Sequence, residues 1–469
     1  MTIAKIKSFT NYTFKAVSGK WLIAVIILFF AAEVQAQQRP NIIFVLADDM
    51  GYSDLSCYGN PVIKTPFLDK MAQKGVRETN YVVSSPACTP SRASLLTGRY
   101  ASRMNLGIVI PPGSDLGLAD QEVTIAEMLK GVGYKTAMIG KWHLGDHRPF
   151  NHPMAQGFDS YYGLLYSHDY RSPYVKTDTT LKIFRNHTPE VIKPADSSIV
   201  DLYTNEAIRY IRKQKKDKPF FLYLAHNMPH LPVAFASSKR NTGRSDGGHL
   251  GDVVEQLDAS LAEIWSVLEK QGLADNTIFM FSSDNGPWIE FPSRMSGDGA
   301  TKRWDAGTAG VFRGSKGQSY EGGVREPFIV YWKNHTPVGA SVTSMVSNLD
   351  VLPTLAQWTN APLPKGRTLD GQSISDVLLG KAPAHPKHRE IYIVNNGICE
   401  AVKLGDWKYL EISGNNQNSG ILSAPQGAKT ELFNLSYDPS ERTNVIEEYP
   451  EIAKQLKALF DKFPGKTEN

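Results

Sequence analysis

The chain has 469 residues, of which 41% are hydrophobic, so it is long enough for one large folded domain and a smaller one. Its formal net charge is +4, and most of this excess comes from residues 1–36. The remaining residues are close to neutral, which excludes a basic nucleic-acid-binding protein.

The N-terminus has the composition of a secretory signal. Several lysines precede an apolar run from Trp21 to Ala32, and the small residues of Val34–Ala36 suit a cleavage site. An apolar run of this length is too short to span a bilayer as a helix, so no stable membrane span is expected. We therefore expect residues 1–36 to be a signal peptide that exports the chain to the periplasm or the medium. An uncleaved anchor is the alternative.

Four short apolar segments have the pattern of buried parallel strands, separated by segments of helical period. The strand segments are Asn41–Ala47, Tyr134–Gly140, Phe220–Ala225 and Thr277–Ser283. Alternating strands and helices predict an α/β fold with a doubly wound sheet. One helix is indicated by an apolar face that ends before Gly272, formed by Leu257, Leu261, Ile264 and Leu268.

Polar side chains follow each of these strands. Because ligand sites of open α/β sheets lie beyond the carboxyl ends of the strands, we expect these side chains to share one crevice. Some are hard oxygen ligands that suit Ca²⁺ or Mg²⁺ and not Zn²⁺, although Asp-Asp and Asp-Asn-Gly sequences also form solvated turns. The polar residues at the strand ends are Asp48, Asp49, Lys141, His143, His226, His230, Asp284 and Asn285.

Residues 88–99 read CTPSRASLLTGR. Pro86 and Pro90 flank Cys88, which predicts a loop that leads into a helix over Ser91–Thr97. A helix N-terminus favours a bound anion, and Arg92 would add a positive charge beside the sulfur. A single cysteine is more often a small buried hydrophobic residue, so the neighbouring residues decide its interpretation.

The pattern changes in the last part of the chain. The segment Lys381–Glu390 is typical of a linker, and strand-like alternation follows over Ile391–Val394, with a hairpin near Gly405. Pro450 is expected to begin a helix. Its apolar face would comprise Ile452, Leu456, Leu459 and Phe463.

The order C-x-P-S-R followed by L-x-T-G-R resembles the signature of the type I sulfatases, a family of the alkaline phosphatase superfamily. The flanking motifs are similar to both the arylsulfatase A and the N-acetylgalactosamine-6-sulfatase branches. The resemblance runs from about Arg39 to Gly380, and more loosely through Glu431–Asn444. It implies a large mixed, mostly parallel sheet sandwiched by helices. We expect a catalytic domain over residues 37–383 and a C-terminal α+β subdomain, an antiparallel sheet plus a helix, over residues 384–469.

The resemblance also implies that a maturation enzyme oxidises Cys88 to formylglycine (3-oxoalanine), whose hydrate is the nucleophile. The other two cysteines, Cys57 and Cys399, could pair or stay buried. In this family a divalent cation, usually Ca²⁺ with Mg²⁺ as the alternative, binds the modified residue. By the resemblance its remaining ligands are Asp48, Asp49, Asp284 and Asn285.

Further roles follow from the same resemblance. Arg92, Lys141 and Lys316 would share the charge of the sulfate, and Ser167 would lie in the sulfate pocket. His143 would act as a base, and His230 would donate a proton to the leaving alcohol. His226 competes for that last role, and His230 is preferred because Leu231-Pro232 follows it. Candidate substrate contacts by position alone are Tyr170, Arg171, Trp288, Arg294, Arg303 and Trp304.

The expected function is hydrolysis of a sulfate ester of a carbohydrate, such as a glycosaminoglycan or algal polysaccharide fragment. One alternative is a phosphomonoester or phosphonate hydrolase, because relatives of this superfamily act on phosphorus esters. The other alternative is a non-enzymatic binder of sulfated glycan, in which Cys88 is never oxidised.

Overall fold

The computed structural model describes residues 39–176, 180–233, 243, 245–381, 389–414 and 427–465. The predicted signal peptide lies outside the described residues, as do most of the predicted linker and the predicted domain boundary at residue 383. Within the described residues, no helix is both long and apolar enough to cross a membrane.

A mixed sheet of 11 strands forms the centre of the protein. Its order is β10-β2-β9-β8-β1-β7-β3-β4-β5-β6, and β11 pairs with β2. The strands are β1 (Asn41–Ala47), β2 (Val76–Val82), β3 (Lys135–Gly140), β4 (Ser160–Leu164), β5 (Lys182–Arg185), β6 (Thr188–Ile192), β7 (Phe220–Ala225), β8 (Thr277–Ser283), β9 (Arg325–Trp332), β10 (Ala340–Val342) and β11 (Val346–Ser347).

The four strands predicted from their apolar runs are neighbours in this sheet. β1 pairs in parallel with β7 and with β8, and β3 pairs in parallel with β7. β1, β7 and β8 are buried at every position. A strand covered on both faces needs a continuous apolar run, which explains why these strands are legible in the sequence.

Helices cover both faces of the sheet. They are α1 (Pro66–Lys74), α2 (Cys88–Thr97), α3 (Ile125–Lys130), α4 (Ile199–Ile211), α5 (Gly248–Lys270), α6 (Glu321–Val324), α7 (Val351–Thr359), α8 (Ser375–Leu378) and α9 (Pro450–Phe460). α1, α4 and α5 contribute to one hydrophobic core, and α2, α3, α7 and α8 to the other. The apolar face predicted for α5 is buried in the first of these cores. The predicted α/β architecture is confirmed.

The helix α2 begins at Cys88, earlier than the predicted start at Ser91. The prediction placed Pro90 before the helix, whereas Pro90 lies in its first turn. Proline is tolerated there because the first backbone N–H groups of a helix have no partner within the helix. Cys88 is therefore the first residue of a helix and not part of the preceding loop.

The C-terminal part forms a separate antiparallel sheet of four strands, in the order β12-β13-β14-β15. The predicted hairpin joins β13 to β14, and α9 begins at Pro450 as expected. Phe463 lies beyond the end of α9, where its ring packs against Tyr100. The strands are β12 (Glu390–Asn395), β13 (Ile398–Leu404), β14 (Trp407–Ile412) and β15 (Lys429–Asn434).

The small sheet meets the large sheet through apolar side chains and a buried group of charges. Ile393, Ala401 and Leu410 of the small sheet belong to the same hydrophobic core as α2 and α7. Beside them lies what we call the interface cluster, which consists of Glu321, Lys403, Lys408 and Glu441. Cys57 and Cys399 are both free thiols and pack against different cores.

Every charge of the interface cluster has a partner. Lys403 Nζ lies 2.7 Å from Glu321 Oε2, and Lys408 Nζ lies 3.1 Å from Glu321 Oε1. Lys408 Nζ also lies 2.7 Å from Glu441 Oε1, while the backbone N–H of Glu321 donates to Glu441 Oε2. A buried ionic network is stable only when its members are paired in this way.

Candidate active site

The residues that follow β1, β3, β7 and β8 converge at one edge of the large sheet. The N-terminus of α2 and the loop before α6 reach the same place and bring Cys88 and Lys316. We call six of these charged residues the site cluster: Asp48, Asp49, Arg92, Lys141, Asp284 and Lys316. All six are buried.

Cys88 lies against both aspartates that follow β1. Its Sγ is 3.7 Å from Asp48 Oδ1 and 3.8 Å from Asp49 Oδ1. Burial raises the pKa of this thiol far above its ordinary value, although Lys141 and Lys316 nearby oppose the shift. The first turn of α2 is tied to the K-W-H segment, because Thr89 Oγ1 donates to the carbonyl of His143.

Each lysine of the site cluster contacts one aspartate. Lys141 Nζ is 2.9 and 2.7 Å from the two carboxylate oxygens of Asp48, and Lys316 Nζ is 2.8 Å from both oxygens of Asp49. Arg92 bridges the two strand ends, with Nη2 2.7 Å from Asp284 Oδ2 and 3.3 Å from Asp48 Oδ1. The three cations therefore match the three carboxylates in charge.

The carboxylates differ in pKa because their neighbours differ. Burial would raise the pKa of Asp48, but Lys141, His230 and Arg92 together hold it well below its usual value. Asp49 has fewer cations nearby, so burial raises its pKa to about 6 despite Lys316. Unlike charges at short range and desolvation thus act in opposite directions within one site.

His230, and not His226, lies among these groups. His230 Nε2 is 3.5 Å from Asp49 Oδ2. Potential ligand atoms of Asp48, Asp49, Cys88 and His230 all lie within 4.8 Å of one another. His226 instead packs on Tyr203, and its Nδ1 accepts a hydrogen bond from Met228 N. The geometry therefore favours His230 as the group that meets a reacting molecule.

His143 packs against the aromatic rings of Tyr166 and Tyr170. Its Nε2 is 3.2 Å from the carbonyl of Ile110, and its Nδ1 has no partner among the described residues. Burial lowers the pKa of His143 well below its ordinary value, and Lys141 adds to this shift. A neutral ring with one free nitrogen can accept a proton.

The donor set fits a hard divalent cation. Asn285 Nδ2 donates to Asp49 Oδ1 at 2.8 Å, which leaves its buried Oδ1 without a donor among the described residues. Asp48, Asp49, Asp284 and Asn285 offer only oxygen, the ligand type that Ca²⁺ and Mg²⁺ prefer. The compact ligand group includes His230, which was not predicted as a ligand, and omits Asp284, whose Oδ2 is bonded to Arg92.

The backbone near the site adopts left-handed conformations. Asp49 and His143 have φ values of 61° and 60°, which are uncommon for residues other than glycine and asparagine. Gly140, at the end of β3, has φ 113°, and a Cβ there would lie 1.8 Å from Ala225 O. Only glycine fits this position, so the G-K-W-H order lets β3 end against β7 and turn Lys141 into the site.

The structure separates the candidate substrate contacts into two groups. Trp288 packs against His230, with Lys316 Nζ over its ring, and Arg294 lies over the same tryptophan. Tyr170 packs on His143. The other three are further from the cluster or otherwise engaged: Arg171 pairs with Asp196, Arg303 donates to Phe291 O, and Trp304 is 79% exposed.

Several functional contacts were not predicted from the sequence. The backbone of Gly317, next to Lys316, donates to Pro86 O and accepts from Asn395 Nδ2 of the small sheet. Ser319 Oγ donates to Glu400 Oε2 of the same sheet. The Gly-rich pattern signalled a loop, but only the fold shows what holds it.

Two unpredicted residues, His168 and Asp169, directly follow Ser167, which is itself buried. The His168 ring lies 5.7 Å from that of His230, and Asp169 lies near Arg294. Their signal in the sequence was the run of polar residues shortly after β4, the same pattern that marked the other strand ends.

Comparisons with known proteins agree with this geometry. A family model described as Sulfatase matches residues 40–361, and one described as N-sulphoglucosamine sulphohydrolase, C-terminal, matches residues 310–465. The chain is 34% identical to an N-acetylgalactosamine-6-O-sulfatase of Bacteroides thetaiotaomicron, over 91% of this chain and 93% of that protein. It is also 34% identical to arylsulfatase A of Homo sapiens, over 92% and 89%.

Solved structures give the same result. A sulfatase from Pseudoalteromonas sp. superimposes with a TM-score of 0.78 at 26% identity, covering 94% of this chain and 93% of that one. A Bacteroides thetaiotaomicron protein described under metabolism of multiple glycosaminoglycans has a TM-score of 0.76 at 32% identity, covering 91% and 99%. A phosphonate monoester hydrolase of Agrobacterium radiobacter, at 18% identity and TM-score 0.61, covers 90% and 96% and shares the fold.

Proposed function

The chain belongs to the sulfatase family and hydrolyses sulfate esters, and from this premise we propose that its substrate is a sulfated carbohydrate and its nucleophile derives from Cys88. The observation that carries the proposal is the position of Cys88 Sγ between Asp48 and Asp49, where Lys141, Lys316 and His230 also meet. These neighbours are charged or titratable, so the filling of an apolar core does not explain the position of this thiol.

The nucleophile would be the hydrated aldehyde that forms when Cys88 is oxidised to formylglycine. Cys88 is buried at the start of α2, so the maturation enzyme would have to act on the chain before the fold closes. We infer that the chain carries its signal in residues 1–36 and is exported, to the periplasm or the medium, after this modification.

The oxygen atoms of Asp48, Asp49, Asp284 and Asn285 would hold Ca²⁺, with Mg²⁺ as the alternative. A cation held there supplies Lewis acidity and neutralises charge on the ester. Since three cationic side chains already balance three carboxylates, a divalent ion would leave the site with two net positive charges. That excess suits a sulfate group and explains why Arg92, Lys141 and Lys316 share one site with a metal.

The protein's own residues then divide the chemistry between them. Lys141 contacts Asp48 and Lys316 contacts Asp49. Both lysines would stabilise negative charge on the transferred sulfate group, the effect that usually contributes most to such catalysis. One hydroxyl of the hydrated aldehyde would bond to sulfur while His230 protonates the sugar oxygen whose bond to sulfur breaks. His143, whose Nδ1 has no partner among the described residues, would then remove the proton from the second hydroxyl, so that sulfate leaves and the aldehyde forms again. Ser167 would contact the sulfate.

Carbohydrate is favoured as the leaving group for two reasons. Relatives named for action on sulfated sugars align over nearly the whole chain. In addition, Arg294, whose side chain is 35% exposed, lies over the buried Trp288 that packs against His230, and a guanidinium is suited to binding further anionic groups of a sulfated sugar. A sugar alkoxide is a poorer leaving group than a phenolate, so proton donation by His230 should matter more for sugar esters.

The test is release of inorganic sulfate from a panel of sulfated monosaccharides and oligosaccharides, with protein produced beside a formylglycine-generating enzyme. We expect release from at least one sugar, its loss in Cys88→Ala, and its retention in Cys399→Ala, which removes a thiol outside the site. The mass of the Cys88 peptide should report the aldehyde. Aldehyde without release from any sugar would contradict the carbohydrate proposal.

The same assay separates the phosphorus-ester alternative. Phenyl phosphate and phenylphosphonate monoesters should be turned over far more slowly than the sulfated sugar at equal concentration. Faster turnover of a phosphorus ester would assign the site to that chemistry instead.

A further inference from the structure

Three consecutive buried side chains after β4 each carry a polar atom without a hydrogen-bond partner among the described residues. These atoms are Ser167 Oγ, His168 Nδ1 and Asp169 Oδ1, in residues that are at most 4% exposed. A buried polar group that is left unpaired destabilises the folded protein. Such groups are rare in folded proteins, and a run of them indicates a surface completed by a ligand or by ordered water.

Asp169 has a cationic neighbour that reaches it from a different loop. Arg294 Nη1 lies 3.6 Å from Asp169 Oδ2 and donates to Tyr174 O at 2.9 Å. The guanidinium lies over the ring of Trp288, with a distance of 5.6 Å to the centroid. The Arg294 side chain is 35% exposed, whereas that of Asp169 is only 5% exposed, so the pair extends from the interior to solvent.

Two independent contacts place this pair on the side of the site where the leaving group departs. His168, the neighbour of Asp169, packs edge-on against His230 at 5.7 Å. The ring of Trp288, over which the guanidinium of Arg294 lies, is 5.4 Å from the His230 ring, measured between centroids. Both contacts are made with His230, the residue that would protonate the departing oxygen.

We propose that Asp169 and Arg294 form a subsite that binds a free hydroxyl group of the leaving sugar. The inference rests on the proposed function. A hydroxyl both donates and accepts, so it can donate to Asp169 Oδ1 and accept from Arg294 at the same time. Such a pair selects a hydroxyl-bearing leaving group over an aryl alcohol, which has no neighbouring hydroxyl to offer.

The experiment compares two leaving groups on the same enzyme. Asp169→Asn, Arg294→Gln and the double variant are assayed with 4-nitrophenyl sulfate and with the sulfated sugar that the wild type hydrolyses fastest. Each single variant should lower kcat/KM for the sugar by about 10- to 100-fold, the effect expected for a lost hydrogen bond to a charged group. For 4-nitrophenyl sulfate the change should be less than about threefold.

Asp196→Asn is the matched control. Asp196 is also a buried aspartate paired with an arginine, Arg171, of the same loop as Asp169, but this pair contacts the proposed subsite only through backbone carbonyls, with Arg171 donating to those of His168 and Asp169. Its sugar-to-aryl ratio should equal that of the wild type. Among deoxy forms of the sulfated sugar, the one that lacks the bound hydroxyl should be hydrolysed more slowly than the parent sugar by the wild type but not by Asp169→Asn.

The outcomes are separable. Equal losses for both substrates, with a lowered Tm, would show that the pair only joins two loops and would overturn the subsite. Wild-type-like turnover of the sugar by Asp169→Asn would also overturn it, while leaving the proposed function intact. Turnover of 4-nitrophenyl sulfate with no sugar hydrolysed by the wild type would contradict the carbohydrate proposal itself.

Discussion

Two buried groups of charge lie close together along the chain, with Lys316 in the site cluster and Glu321 in the interface cluster. Both contain lysines within hydrogen-bond distance of carboxylates, and both are excluded from solvent. The two clusters differ in how fully the polar atoms in and around them are hydrogen-bonded. Glu321 and Glu441 receive donors from Lys403, Lys408 and a backbone N–H, whereas several polar atoms beside the site cluster have no partner in the part of the chain that the structure describes.

This difference teaches how to distinguish chemistry from architecture. Burial and ion pairing alone do not mark an active site, because the interface cluster has both. Unpaired atoms such as Asn285 Oδ1, His143 Nδ1 and Asp169 Oδ1 are informative because several of them lie around one group of charges, whereas isolated ones such as Glu78 Oε2 and Gln214 Oε1 also occur elsewhere among the described residues.

The largest expected effect is on the interface cluster. Lys408→Met removes the cation that Glu321 and Glu441 share, and leaves two buried carboxylates with one lysine. Breaking a buried ionic network in this way should lower the free energy of unfolding by about 3–5 kcal/mol. Denaturant unfolding measures this loss, while kcat of the folded fraction should change little. A large loss of kcat in the fully folded variant would contradict this prediction, because it would show that the interface cluster also affects catalysis.

The reverse result is expected for Lys316→Met. This lysine would stabilise the transition state, so kcat/KM for the sulfated sugar should fall by about 10²- to 10³-fold. With Ca²⁺ present, Asp49 keeps a positive partner, and the Tm should stay within a few degrees of the wild-type value. A strong drop in Tm with preserved turnover would assign Lys316 to architecture instead.

The third prediction concerns the divalent cation that the site cluster would bind. After treatment with a chelator, Ca²⁺ at about 100 times its Kd should raise the free energy of unfolding by about 2.7 kcal/mol. Asp49→Asn should abolish this gain, whereas Lys408→Met should keep it, because the interface cluster needs no ion. A Ca²⁺ effect that survives in Asp49→Asn would place the cation elsewhere.

The smallest effect is a pH dependence of stability. Burial lowers the pKa of Lys403 from 10.5 to about 8, although Glu321 beside it opposes the shift. Between pH 8 and 10.5 the unfolded chain therefore binds more protons at this residue than the folded protein does, so its contribution to stability rises with pH. The Tm of the wild type relative to Lys403→Met should increase by a few degrees over that window. A constant difference would mean that Lys403 keeps an ordinary pKa.

The sequence was most informative where one physical requirement acts alone. The bounds of β1, β7 and β8 match their predicted bounds, because a strand buried on both faces must be apolar throughout. The side chains after those strands could be expected to converge, because the carboxyl ends of parallel strands lie at one edge. The start of α2 was wrong because Pro90 is compatible both with a loop and with the first turn of a helix.

Contacts between segments that are distant in the chain could not be predicted from the sequence. A lysine in a Gly-rich loop is usually solvated, and nothing near Lys316 in the chain reveals that Asp49 lies beside it. The partners of Glu321 come from β13 and β14, so its burial could not be read from its neighbours either. The pairing of Asp169 with Arg294 likewise depends on how two loops meet.

The loop that carries Lys316 is held by hydrogen bonds on two sides: Gly317 O accepts one from Asn395 of the small sheet, and Gly317 N donates one to Pro86 O in the segment that leads to Cys88. A graft that exchanged the C-terminal sheet between relatives would therefore also exchange the support of Lys316. Chimeras joined near residue 384 should lose this support, whereas a junction upstream of residue 310 would transfer loop and sheet as one inherited piece. The unit of recombination in this protein is thus larger than the smaller sheet alone.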